Sequence, residues 1–385
     1  MTGPLTGVGE TFGPWWCVRR RGVEVCGASP GVRTRVRRGK EYRLPVIHFV
    51  LLVVCAAVIY LACEWFVNAV EWLGQRLKVG PLAVGTILAA FGTALPESVV
   101  TFVAVVFGTG AAQKDIGVGA AMGGPLALAT VAYGVTGWMM LARRRRARAQ
   151  VMVPASGTTG DDLGDPTKLA RDQRWFLAIF VVKVALGLVT FAIKPWLGLL
   201  FFATYAVYFW REMRATAEPA AGTDLQPLLL QRRRRTPATW AVVTQTLATL
   251  AIIFVASQLF VHQLEAIGPL LGLSATVTAL LLSPIATELP EIMNAIIWVR
   301  QGKAALALAN ISGAMMIQAT VPSGLGLLFT PWRFTSALVI SGIITMVAIG
   351  YLLILLRTGR FNARTLSFAT VAYLAFAAGL IPILA

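Results

Sequence analysis

Long apolar runs alternate with short polar breaks from residue 46 to the end of the chain. Ten of them reach, or nearly reach, the length of about 20 mostly apolar residues that a helix needs to cross a bilayer. They are 46–70, 81–107, 116–141, 175–193, 195–210, 238–262, 269–298, 304–329, 334–356 and 366–384. The fifth is short, which predicts a tilted or incomplete crossing. Two longer polar stretches interrupt the series: 142–174, with "RRRRARAQ" and "GTTGDDLGDP", and 211–237, with "EPAAGTDLQP" and "RRRR". The pattern predicts an all-α polytopic membrane protein in four parts: an extension over 1–45, a membrane segment over 46–210, a linker over 211–237 and a second membrane segment over 238–385.

Composition agrees with that reading. The 385 residues are 57% hydrophobic and 13% charged, and mean hydropathy is +0.72, which excludes an ordinary soluble domain. A net charge of +17 would suggest nucleic acid in a soluble protein. Here it reads as basic loops on one side of a membrane, with no nucleic-acid partner expected. Cys17, Cys26, Cys55 and Cys63 lack metal-ligand spacing, and two histidines give a His-based site little to build on. No resident cofactor is expected.

Charge placement orients the chain. With residue 46 outside, the inner loops hold 21 Lys or Arg and the outer loops only Lys114, Lys194 and Arg333. The positive-inside rule then places both ends of the membrane domain outside. The extension opposes this with nine Lys or Arg. It lacks the apolar core of a signal peptide and is expected to be a disordered basic arm. Met122 is the first methionine after Met1, so residues 1–45 are also a candidate start-site artefact. The four-Arg runs read as topology signals, with binding of anionic lipid head groups as a second reading.

The chain repeats itself. At an offset of 194, "EWFVNAVEWLG" (64–74) aligns with "QLFVHQLEAIG" (258–268), and "FGTALPE" (91–97) with "IATELPE" (285–291). At an offset of 190, "GGPLALATVAYG" (123–134) aligns with "GAMMIQATVPSG" (313–324). Two copies of five spans follow. Five is odd, so the second copy enters from the opposite side, an inverted-topology repeat.

A Pro and a Glu side by side within a span are expensive unless they serve one purpose. Pro96 and Pro290 free the carbonyls four residues back, at Gly92 and Ala286. Thr93 and Glu97 share a helical face, as do Thr287 and Glu291. Placed face to face, the two copies gather two carboxylates, two Thr oxygens and loosened backbone oxygens. An all-oxygen, dianionic set suits Ca²⁺. The competing structural reading is that each Glu caps a helix or pairs with a Lys, with Lys183 the one basic residue deep in a span. Glu71 and Glu265 lie near span ends and are expected to face water. Glu64, with Gln258 at its repeat position, is a candidate for the ion path or for a bond between helices.

The two motifs, "GTALPES" and "ATELPEI", resemble the signature repeats of the sodium/calcium exchanger family of cation/calcium antiporters. The resemblance covers roughly 46–141 and 250–329. It implies ten helices, alternating access, a bacterial-type member in the plasma membrane, and a central site with Glu97 and Glu291 as acidic ligands and Thr93 and Thr287 helping to coordinate. The implied function is exchange of Ca²⁺, or a related divalent cation, for Na⁺ or H⁺. A divalent cation channel is the alternative, and an intramembrane metal-dependent enzyme would need a nucleophile or His that the motifs do not supply.

The departures from the family pattern bear on the counter-ion. The third and eighth spans of the family read G-S-N-x-x-N or G-S-N-x-x-D. Here they read Gly123-Gly124-Pro125-Leu126-Ala127-Leu128 and Gly313-Ala314-Met315-Met316-Ile317-Gln318. Both serines are gone, and Gln318 alone keeps an oxygen at the last position. Glu288 is an extra carboxylate three residues before Glu291. Two close carboxylates repel when both are ionised, so a Glu288–Glu291 pair is a candidate proton carrier.

Overall fold

The structure, a computed structural model, describes residues 15–20, 23–28, 43–107, 111–150, 163, 165–215, 225–270, 272 and 281–384. It divides into two units, Met1–Val46 and Ile47–Ala385. In the first, strands β1 (Trp15–Arg20) and β2 (Val23–Ala28) pair antiparallel, with Cys17 opposite Cys26 and Arg19 opposite Glu24. Twelve residues of the extension thus form a two-stranded hairpin. Val18, Val23, Val25 and two tryptophans favour paired extended backbone, a signal that the basic residues mask. The remainder of the extension up to residue 42, the start of the seventh span and, in the two long polar loops, residues 151–162, 164 and 216–224 lie outside the described residues.

All regular secondary structure among the described residues of the membrane domain is helical. Helix α1 is Arg43–Leu77. The second span comprises the turn Pro81–Ala83, a widened π turn at Val84–Ala89, α2 (Ala90–Phe102) and a second π turn at Val103–Phe107. The third is α3 (Ala111–Ala127), joined through a π turn at Leu128–Ala132 to α4 (Tyr133–Gln150). Helices α5 (Pro166–Leu188) and α6 (Leu197–Ala215) close the first repeat. The second repeat contains α7 (Thr239–Leu270), α8 (Ser283–Thr287), α9 (Leu289–Arg300), α10 (Ala304–Phe329), α11 (Ser336–Arg357), α12 (Ala363–Ser367) and α13 (Ala369–Leu384).

Six of these helices are long and apolar enough by themselves to cross a membrane. The bent pair Val84–Ala94 and Glu97–Phe107, 47° apart, makes a seventh. Helices α5 and α6 fall short because charged residues crowd one end of each: Lys168, Arg171, Asp172 and Arg174 on the first, Arg211, Glu212 and Arg214 on the second. Helix α10 is central, with 89% of its most apolar stretch buried, against 22% for the peripheral α1.

Matching residues of the two repeats pack in matching ways. Thr130 and Thr320 each donate to the carbonyl four residues back, at 2.5 and 2.6 Å. A Cβ on Gly134 would collide with Thr370 in α13, and one on Gly324 would lie 2.9 Å from the Gly198 carbonyl in α6. The third span thus rests on the tenth as the eighth rests on the fifth. Gly313 crosses the second span so closely that a side chain there would meet the Thr86 backbone.

The polar segment from Leu225 to Pro237 is fastened to α1 and α7. Asn68 Nδ2 donates to the Gln226 and Pro227 carbonyls at 3.4 and 3.2 Å, and its oxygen accepts from Leu229 N–H and Gln245 Nε2 at 3.0 and 3.2 Å. Trp72 Nε1 donates to the Gln226 carbonyl at 2.9 Å. Ala69, Trp72, Leu228, Ala241 and Val242 form a small apolar cluster beneath.

Glu71 does not face water as expected. It is buried, accepts from Trp298 Nε1 at 3.0 Å and pairs with Lys303 Nζ at 2.5 Å. The end of α9 explains why both donors reach it. Gly302 adopts φ +85, the left-handed conformation that glycine takes at little cost. Lys303 N–H then bonds the Trp298 carbonyl at 2.8 Å and Gly302 N–H the Val299 carbonyl at 3.0 Å, which is a Schellman C-cap. The cap holds Trp298 and Lys303 side by side against α1. Glu265 is exposed, and so are Glu64 and Gln258.

Candidate functional site

Glu97 of the first repeat meets Glu288 and Gln318 of the second inside the helix bundle, and Thr287 is not joined to them. In α2, Thr93 donates to the Ala89 carbonyl at 3.0 Å and lies one turn before the buried Glu97. In the second repeat, Pro290 supplies no amide hydrogen to Ala286, and the chain breaks between α8 and α9. Glu288 occupies the break with φ −84 and ψ 5. Thr287, half-buried, donates to the Pro284 carbonyl at 3.1 Å. Each threonine therefore spends its proton on the backbone and keeps its oxygen lone pairs for another partner.

The amide of Gln318 joins the two repeats. Its Nε2 donates to Glu97 Oε2 at 2.5 Å and to Glu288 Oε1 at 2.6 Å. Glu97, Glu288, Glu291 and Gln318 are all buried, and Glu291 lies within electrostatic reach of Glu97 and Glu288. Glu288, expected to work beside Glu291, is tied instead to Glu97 through Gln318. The break in the backbone at Glu288 turns its side chain toward the second span, which helical spacing alone does not reveal. Both oxygens of Glu291, Oε2 of Glu288 and Oε1 of Gln318 have no hydrogen-bond partner among the described residues.

Gly124 makes room for this arrangement. A Cβ there would lie 2.5 Å from Gln318 Oε1 and 2.7 Å from Glu288 Oε1. The space of a side chain at 124 is thus taken by Gln318 and Glu288. Gly123 presses on Pro284, with 2.8 Å from its Cβ position to the ring.

Lys183 is not an ion-pair partner of the motif glutamates. It is fully buried and donates to the Ala121 carbonyl at 2.6 Å. Two further residues escaped the sequence reading. Asn294, one turn beyond Glu291 in α9, and Asn310 in α10 are fully buried, with all their side-chain polar atoms unpartnered among the described residues. The spacing of Asn294 from Glu291 was the available signal; for Asn310 the sequence offers none.

As they stand, no three Asp, Glu, His or Cys side chains among the described residues cluster tightly enough to hold a metal ion. The Gln318 amide lies between Glu97 and Glu288, where it satisfies one oxygen of each. The arrangement is a buried pair of carboxylates from the two repeats bridged by one neutral amide. The polar atoms gathered by that bridge are carboxylate and amide groups of both repeats.

Comparison with known proteins places the chain. The family model described as sodium/calcium exchanger protein matches residues 47–213 and 241–381. CaxA of Alkalimonas amylolytica is 23% identical over 279 residues, covering 70% of this chain and 77% of that protein. The inner membrane protein YrbG of Escherichia coli K12 is 26% identical over 291 residues, covering 73% and 79%. A structure of the sodium-calcium exchanger NCX_Mj soaked with Na⁺ and Sr²⁺ superimposes with a TM-score of 0.65 at 16% identity, covering 88% of this chain and 99% of that one.

Proposed function

The chain belongs to the sodium/calcium exchanger family, and from that premise we propose that it exchanges Ca²⁺, or a closely related divalent cation, for protons by alternating access at the Glu97–Gln318–Glu288–Glu291 centre. Family and fold are those of a cation antiporter embedded in a membrane. The finer reading rests on one observation, the bridge from Gln318 Nε2 to both Glu97 and Glu288.

Three buried carboxylates cannot all remain ionised without compensation, because each bare charge in a dry interior costs several kcal/mol (an order-of-magnitude figure). A divalent cation offsets two of them. When it leaves, protons are the smallest replacement, and the Gln318 amide hydrogens steady Glu97 and Glu288. Turning that amide about its last bond presents Oε1 instead, so the same residue serves as donor without the cation and as ligand with it. Thr93 and Thr287 contribute hydroxyl oxygens from the two repeats. Gly124 and Ala314 offer no side-chain oxygen, which leaves a sodium ion short of ligands to offset its dehydration. The loop charges support an orientation with both ends of the membrane domain outside and the arginine-rich loops inside.

Ca²⁺ flux into proteoliposomes tests this reading under a pH gradient without Na⁺, then under a Na⁺ gradient without a pH gradient. Uptake should follow the pH gradient, saturate with Ca²⁺, and fall at least tenfold in Glu288→Gln. Uptake driven by Na⁺ alone, and unchanged in that variant, defeats the proton assignment. Flux that needs no counter-ion and does not saturate is a channel's behaviour and defeats exchange altogether.

A further inference from the structure

A groove of about 530 Å³ lies between α5 and α11 and shares no residue with the carboxylate centre. Most of its length is aliphatic: Leu177 and Val181 on one wall, Leu353 and Ile354 on the other. Val181 and Ile354 are 46% and 62% exposed. The wall is open at Gly350, where a Cβ would meet no atom within 4 Å. Arg174 begins one wall and Arg357 ends the other, so two guanidinium groups stand at the same end.

Those two arginines differ from their basic neighbours. Lys168 and Arg171, on the same helix as Arg174, are paired with Glu212 at 2.7 and 3.0 Å. Arg174 and Arg357 are exposed and have no carboxylate within ion-pair distance among the described residues. A slot with paired cations at one end and an aliphatic trough behind them is amphipathic along its length.

We propose that this groove binds an anionic phospholipid, with its phosphate between Arg174 and Arg357 and an acyl chain along the trough past Gly350. Guanidinium groups suit phosphate because their fixed N–H fork matches its oxygens. Basic pockets between membrane helices favour anionic head groups. The aliphatic wall selects a lipid over a free anion, since inorganic phosphate gains nothing from Leu177, Val181, Leu353 or Ile354. The occupant would tie α5 to α11 from the membrane side.

The full chain in a neutral maltoside detergent is the material for the test. Phosphatidylglycerol, phosphatidylcholine and inorganic phosphate are added separately. Retained lipid is counted by native mass spectrometry, and the thermal midpoint is recorded. Phosphatidylglycerol should be retained at about one copy per chain and raise the midpoint, phosphatidylcholine should bind at least tenfold more weakly, and phosphate should do neither. Arg174→Gln with Arg357→Gln should remove that preference at least tenfold while leaving the lipid-free midpoint within 2–3 °C (order of magnitude). Gly350→Leu, which fills the trough and keeps both arginines, should also lose the lipid. Equal retention of the two lipids, stabilisation by phosphate alone, or unchanged binding in either variant overturns the proposal.

Discussion

Lys183 donates to the carbonyl that Pro125 leaves without a partner. Proline has no amide hydrogen to give to the residue four back, which is Ala121, and the ammonium of Lys183 reaches that oxygen from α5 at 2.6 Å. The next carbonyl, Met122, accepts from Ser341 Oγ in α11 at 3.4 Å. The backbone of the third span, one turn before Gly124, is thus held by side chains of two neighbouring helices.

Replacing Lys183 by Met should leave the Ala121 carbonyl buried and unpaired, at a cost of about 1–3 kcal/mol. Adding Pro125→Ala to that variant restores an amide hydrogen and should recover most of the loss. Thermal unfolding of wild type, both single variants and the double variant measures the coupling between the sites. Additive effects would show that the two residues are independent.

Gly124→Ser should abolish most transport rather than improve a sodium site. Its Cβ would lie 2.5 Å from Gln318 Oε1 and 2.7 Å from Glu288 Oε1, so the ends of both side chains must shift and the bridge between Glu97 and Glu288 is disturbed. Flux should fall at least tenfold. Gln318→Ala added to Gly124→Ser should recover part of it by clearing the space. A fully active Gly124→Ser protein would show that the amide has no fixed position there.

Glu71→Lys and Lys303→Glu should each lower the thermal midpoint, since each sets like charges against one another at the junction of α1 with the end of α9. Together they restore opposite charges and should recover at least half of the loss. The expected single-variant penalty is about 1–3 kcal/mol, because Glu71 is buried and would leave its partners unpaired. A double variant as unstable as the sum of the singles would remove the pairing from the account.

Orientation can be read by labelling in a cysteine-free background. A cysteine replacing the exposed Arg233 should be protected from an impermeant thiol reagent added outside, and one replacing the exposed Trp196 should react. The reverse pattern would mean that the basic residues of the extension, not the loops, set the topology.

Much of this architecture is written in one dimension. The order of the helices and the repeat follow from apolar run lengths and internal similarity, because a bilayer constrains every backbone group in the same way. Helix ends do not: α4 runs on to Gln150 and α5 begins at Pro166, inside the stretch that composition marks as polar loop. What the sequence conceals depends on where side chains go after the backbone departs from regular helix. Glu288 looks like a neighbour of Glu291 at helical spacing, yet the break at that residue gives it to Gln318 and Glu97. Glu71 looks like a span-end carboxylate, yet a left-handed glycine in the other repeat delivers two donors to it. The absence of serine at 124 reads as a loss until the space it vacates is seen to be filled from across the repeat.

The two repeats match in Thr130 and Thr320, but not at the centre: the counterpart of Gln318 is Leu128, and that of Pro125 is Met315. Identical halves in inverted orientation would make the two faces of the membrane energetically degenerate, with an exchanger resting equally on either side. Here the bridging amide, Gln318, comes from the second half only, and Pro125, which frees the Ala121 carbonyl that Lys183 holds, from the first only. That degeneracy is broken by covalent structure, so the protein carries an intrinsic sidedness that persists when ion concentrations on the two faces are equal.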